Sequence, residues 1–137
     1  MRRKIFITEK DKLKLKRLVD GTIGYRVKDM KTVKDLIEEL ERAEILNIEN
    51  FPTDVITMNS KIKVKDLKTG DTFIYTIVYP EDADIEKNKI SILAPVGTAL
   101  LGYREGDIVE WEVPAGKRRL RVENILYQPE AASKVLT

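Results

Sequence analysis

Cysteine and histidine are both missing from these 137 residues. Without cysteine there is no disulfide, no thiol nucleophile and no thiolate metal site. Without histidine the usual zinc ligand and the usual general base near neutral pH are gone as well. Ser60, Ser91 and Ser133 therefore have no partner for a Ser-His-Asp triad. No apolar run approaches the roughly eighteen residues of a membrane span. Met1-Arg2-Arg3-Lys4 is not followed by the apolar core of a signal peptide. A cytoplasmic protein without a membrane partner is expected. Charged residues make up 35% of the chain, yet the net charge is only +2, so bulk attraction to nucleic acid is not implied. Any chemistry must rest on carboxylates, Lys, Arg, Tyr, Ser or Thr.

What is present is enough apolar material, 42%, to bury a core, at the length of one domain or a domain with a small appendage. The chain divides near Pro52. Thr8 and Asp11 are spaced as a capping-box variant, and Lys10 to Val19 runs without a breaker until Asp20-Gly21 and Gly24. Leu15, Leu18 and Val19 share one face of that helix, with Leu13 off it. Thr32 and Asp35 repeat the capping spacing, and Val33, Leu36, Ile37 and Leu40 recur at helical intervals to about Leu46. Two helices joined by about a dozen residues predict an antiparallel hairpin over residues 1–50. Fourteen residues at a 1.5 Å rise reach only about 21 Å, so this arm is short. Residues 1–31 carry a net +7 and residues 32–54 a net −5. That partition fits helices pairing across the hairpin, or a basic arm touching phosphate or an acidic partner.

Beyond Pro52 the apolar period changes from 3.6 to two. Strands are predicted around Ile62–Leu67, Thr72–Tyr79, Lys89–Leu93, Ile108–Val113 and Leu120–Tyr127, with turns at Lys68-Thr69-Gly70-Asp71 and Pro114-Ala115-Gly116-Lys117. Between them, Pro95 opens a helix of roughly seven residues that Gly102 stops. The result is an α+β chain with five strands, one short helix and a preceding helical pair. Trp111 alternates with Val109 and Val113 and is expected in the core or a pocket wall. Glu81, Asp82, Asp84 and Glu86 lack the glycine and spacing of a calcium loop and read as a solvated turn. Lys117, Arg118, Arg119 and Arg121 read as a solubilising edge. No metal and no cofactor is expected.

Lys89-Ile90-Ser91-Ile92, Pro95, Ala99-Leu100-Leu101-Gly102 and Glu105-Gly106-Asp107 resemble the C-terminal domain of the Gre transcript-cleavage factors. Asp54-Val55-Ile56-Thr57-Met58-Asn59-Ser60-Lys61, Leu93-Ala94-Pro95-Val96-Gly97 and Tyr127-Gln128-Pro129-Glu130-Ala131-Ala132 are similar to the Gre-related regulators of nucleoside diphosphate kinase. The resemblance is dense from Asp54 to Ala132. It implies an FKBP-like antiparallel sheet with one short helix over 54–137, carrying the helical pair as a short coiled-coil arm.

It also implies a monomer that binds RNA polymerase at its secondary channel and meets nucleic acid only through that complex. In Gre factors the corner before the proline-started helix docks on a coiled coil at the channel rim. By position that contact falls on Leu93, Ala94 and Pro95, where an apolar-Ala-Pro sequence replaces polar-Ser-Pro. The plainer alternative is that Leu93 belongs to the core and Pro95 only starts a helix.

Gre factors carry two carboxylates three residues apart at the tip of a long arm, where they help hold a catalytic metal. Here the tip region offers Asp20, Tyr25, Arg26 and Asp29, and Ile23 stands three residues after Asp20. The expectation is therefore a non-enzymatic regulator that competes with Gre-type factors. A cleavage factor using Asp20 with support from Asp29 is the alternative. A prolyl isomerase would rest on fold analogy alone.

Overall fold

The computed structural model describes residues 5–23, 30–113 and 116–136. Tyr25, Arg26 and Asp29 of the expected arm tip, and the side chain of Trp111, lie outside the described residues. The elements run β1 (Phe6–Ile7), α1 (Glu9–Ile23), α2 (Met30–Arg42), β2 (Glu44–Ile45), β3 (Lys61–Asp66), β4 (Thr72–Val78), β5 (Lys89–Ser91), α3 (Pro95–Leu100), β6 (Ile108–Val113), β7 (Gly116–Tyr127) and α4 (Pro129–Leu136).

Capping at Thr8 is as the spacing requires. The Asp11 N–H donates to Thr8 Oγ1 at 3.3 Å, and the Thr8 hydroxyl donates to Asp11 Oδ2 at 3.2 Å. The helix then passes through Gly21 to Ile23, further than the expected break, because a single glycine costs a helix only about 1 kcal/mol. Leu15 and Val19 are buried and Leu18 half-buried, while Leu13 is exposed. The second helix begins at Met30, so Thr32 lies inside it rather than capping it. Val33, Leu36 and Leu40 are buried with Ile37 half-buried, as their spacing requires.

This helix ends at Arg42, four residues before Leu46. The reason is β2, which pairs in parallel with β1, Phe6 opposite Glu44 and Ile7 opposite Ile45. The Glu44 N–H donates to the Ile5 carbonyl at 2.9 Å and that of Leu46 to Ile7 at 3.1 Å. The chain is thus closed at the base of the helical pair, with Ile5 and Ile7 buried beneath.

Five strands form the main sheet in the order β5-β4-β3-β7-β6. All neighbours are antiparallel except β4 and β5, which run parallel with Ile77 opposite Ile90. The sheet is therefore mixed, not antiparallel throughout. The chain from Tyr79 to Asn88, with short turns at Pro80–Asp82 and Ile85–Lys87, doubles back to Thr76 and so sets β5 parallel to the last three residues of β4. One face of the sheet is apolar and closed: Ile62, Val64, Ile77, Val109, Leu120 and Val122 are buried. They join Leu15, Leu36, Ile92, Leu100 and Leu101 in one hydrophobic cluster, so the helical pair and the sheet share a core. Among the described residues no helix is long and apolar enough to cross a membrane.

Candidate functional site

The corner between β5 and α3 is built around Ser91. Its carbonyl accepts from the Ala94 N–H at 3.0 Å, and its Oγ accepts from the Leu93 N–H at 3.1 Å. Next to it, the Thr98 hydroxyl donates to the Ile92 carbonyl at 2.5 Å, and the Thr98 N–H donates to the Ala94 carbonyl at 3.0 Å. Pro95 occupies the first helical position, where its missing N–H has no intrahelical partner to lose. The helix lasts six residues, and Gly102 at φ 87° turns the chain away. Its N–H donates to the Ile56 carbonyl at 2.9 Å.

Gly97 has a separate reason to be glycine. A Cβ there would fall inside the contact distance of the Ser91 carbonyl oxygen and 3.1 Å from its carbon. Corner and helix therefore sit backbone against backbone. Ile92 is fully buried, Leu93 and Ala94 are half-buried, and Pro95 is exposed. Leu93 also packs against the core, so the corner's outer surface consists of Pro95 with the exposed parts of Leu93 and Ala94.

Asp20 is exposed on α1 and lines a groove of about 390 Å³ between the helices, together with Lys16, Ile37 and Glu41. Among the described residues, no three or more His, Cys, Asp or Glu side chains are grouped to hold a metal. In the acidic turn, Glu81 pairs with Lys14 at 3.3 Å, and Asp84 accepts from the Glu86 N–H at 3.1 Å. These two acids are engaged locally.

Two polar clamps were not legible in the sequence. The Tyr79 hydroxyl donates to Asp11 Oδ1 at 2.8 Å, and Lys14 Nζ lies 3.9 Å from the Tyr79 ring centroid. Burial and then the Asp11 hydrogen bond push the Tyr79 phenol up, which keeps it a donor. This clamp joins α1 to the sheet.

The second joins α4 to the Thr57–Ser60 turn. The Thr57 hydroxyl donates to Glu130 Oε1 at 2.7 Å, and the Thr57 N–H donates to Ser60 Oγ at 2.9 Å. Asn59 makes the turn at φ 67°. Gln128 Nε2 donates to the Pro52 and Val55 carbonyls at 2.9 and 2.8 Å. Pro129 in first position followed by Glu-Ala-Ala was the available signal for α4.

Glu130 is buried, and desolvation raises its carboxyl above the usual value of 4.5, with Asp11 adding in the same sense. The native chain then holds this proton more tightly than the unfolded chain, so stability falls as pH rises from about 4.5 through the raised value. Asp66, Glu81 and Glu123 are held low and act oppositely, losing their contribution as pH falls below the ordinary carboxylate range. Glu130→Gln keeps an acceptor for Thr57 and is expected to flatten the fall that sets in above about pH 4.5. Urea midpoints across that range test it; an unchanged profile contradicts it.

A family profile described as transcription elongation factor GreA/GreB, C-terminal, matches residues 51–127. A regulator of nucleoside diphosphate kinase from Escherichia coli (strain K12) is 44% identical over 99 residues, 72% of this chain and 73% of that protein. This chain belongs to the GreA/GreB family. Within it, the chain is a member of the group of regulators of nucleoside diphosphate kinase. A transcription elongation factor GreA from Amoebophilus asiaticus is 36% identical over 95 residues, 69% of this chain but 60% of that factor. That GreA is accordingly the longer protein.

The solved structure of a transcription elongation factor GreA/GreB from Nitrosomonas europaea is 38% identical. It superposes with a TM-score of 0.76 over 92% of this chain and 100% of its own. As a GreA/GreB-family protein, the chain is a Gre-like transcription factor. The Ser91-centred corner and both partners of the Thr57–Ser60 turn lie inside the matched segment, whereas Glu130 and the rest of α4 lie just beyond it.

Proposed function

We propose that this chain regulates transcription by binding bacterial RNA polymerase at its secondary channel, without promoting transcript cleavage and in competition with Gre-type factors. Leu93, Ala94 and Pro95 make the contact with the rim coiled coil. The sheet half acts as an FKBP-like docking domain, and α1 with α2 forms an antiparallel hairpin arm entering the channel.

The observation that carries the reading is the arm's size. The fifteen residues of α1 span about 22 Å, and residues 20–29 contain only two acids, nine positions apart. A metal bridging attacking and leaving oxygens needs carboxylates close together. The backbone-locked corner also suits a binding role, because a rigid anchor loses little conformational freedom on association.

The experiment uses a backtracked elongation complex, measuring both association of the chain and release of short 3′ RNA fragments. Association without release is expected. Release that disappears in Asp20→Ala would overturn the reading in favour of a cleavage factor.

A further inference from the structure

The sheet face opposite the core is unlike the rest of its domain. Residues 55–137 hold equal numbers of basic and acidic residues, yet the register sorts them unevenly. Lys61, Lys63 and Lys65 alternate along β3 and point away from buried Ile62 and Val64. Lys89 lies on the same face, across β4 from Lys61, because Thr76 stands opposite both. Along β3, β4 and β7 this side is exposed or half-buried, except for Val78 at the end of β4, which is buried.

Two carboxylates on this face, Glu110 and Glu123, are already paired. Glu123 pairs with Arg121 at 3.1 Å, and Glu110 pairs with Lys117 at 3.3 Å and Arg119 at 3.5 Å. Arg121, with Lys65 and Lys63 behind it, holds the Glu123 carboxyl below its usual range. Lys61, Lys63, Lys65 and Lys89 form no ion pair among the described residues. The row is therefore positive charge without a direct ion pair, with Glu123 the carboxylate that Lys63 and Lys65 act on, in a domain that is otherwise balanced.

We propose that this open face binds single-stranded RNA, with the lysine row following the phosphate backbone. Successive β3 lysines stand about 6.8 Å apart along the strand, and Lys89 about 9.6 Å across the sheet from Lys61. Exposed Ile74 lies opposite Lys63 and exposed Tyr127 opposite Lys61, giving bases a flat apolar contact and one ring to stack on. Thr72, Thr76 and Asn124 add neutral hydrogen-bonding groups for 2′-hydroxyls.

A protein partner fits less well. Lysine is depleted at protein interfaces, where apolar and aromatic anchors carry most of the binding energy. The family assignment supplies the occasion, a transcript; the inference does not depend on the polymerase contact. It goes beyond the expectation that nucleic acid is met only through the polymerase.

The test titrates the isolated full chain into a labelled short mixed-sequence RNA at several salt concentrations. Wild type is expected to bind, and Lys61→Gln/Lys63→Gln/Lys65→Gln to weaken binding about tenfold, lowering the slope of log affinity against log salt by about 2. The Lys→Arg version of the same triple variant keeps the charge and is expected to bind like wild type. Lys12→Gln/Lys16→Gln on α1 controls for the basic arm and is expected to have little effect. The inference is overturned if wild type does not bind, or if the α1 variant rather than the sheet variant loses binding. Equal affinity for DNA of the same sequence overturns the assignment to RNA. Displacement of the RNA by polyglutamate at matched charge reassigns the face to an acidic protein.

Discussion

Gly97→Ala is expected to destabilise the chain by about 1–3 kcal/mol, as overpacking against fixed atoms does. Two effects oppose each other. Alanine in place of a mid-helix glycine favours the helix by about 0.5–1 kcal/mol. The added Cβ, however, meets the Ser91 backbone rather than the end of a flexible side chain, and it lies 3.2 Å from the Ile92 Cα. Neither group can yield without moving the end of β5, where the Ile92 N–H, just past the strand, donates to the Val78 carbonyl at 2.8 Å. The clash is therefore the larger effect. Chemical denaturation measures it, and an unchanged or higher midpoint contradicts the backbone-on-backbone packing. Because α3 must lift to make room, polymerase binding is expected to fall with it.

Leu93→Asp combined with Pro95→Ala is expected to weaken polymerase binding at least about tenfold, equivalent to about 1.4 kcal/mol. Central apolar anchors at interfaces commonly cost about 2 kcal/mol or more when removed. Pro95 is exposed and Leu93 only half-buried, so most of the loss is expected in binding rather than folding. A thermal melt of the variant separates the two, and Pro95→Ala alone leaves the core side of Leu93 untouched. Normal binding by the folded double variant removes these residues from the interface.

Much of this corner is legible in the residue order. Pro95 and Gly102 are spaced as the start and stop of a short helix, and the apolar period of α2 permits only one buried face. Thr8 caps α1 because its partner is three residues away. The features that escaped sequence reading are those without a local period. A two-residue strand such as Phe6–Ile7 has too few positions to alternate, and its partner Glu44-Ile45 continues a helical pattern until pairing ends it.

The same holds for the clamps. Asp11 is fully accounted for as a capping residue until the fold brings Tyr79 to its second oxygen, 68 positions away. Thr57 and Glu130 are 73 positions apart. The parallel pairing of β5 depends on the path of the Tyr79–Asn88 connection, which sequence alternation does not encode. Lys61, Lys63 and Lys65 alternate in the residue order, but which carboxylates face them depends on which strands neighbour β3.

Competition for the secondary channel tests the central claim most directly. Labelled chain bound to RNA polymerase is challenged with an unlabelled full-length GreA factor while the retained label is followed. Complete displacement, with a midpoint that rises in proportion to the concentration of labelled chain, is the predicted result. A ternary complex that retains the label at saturating GreA would contradict the account.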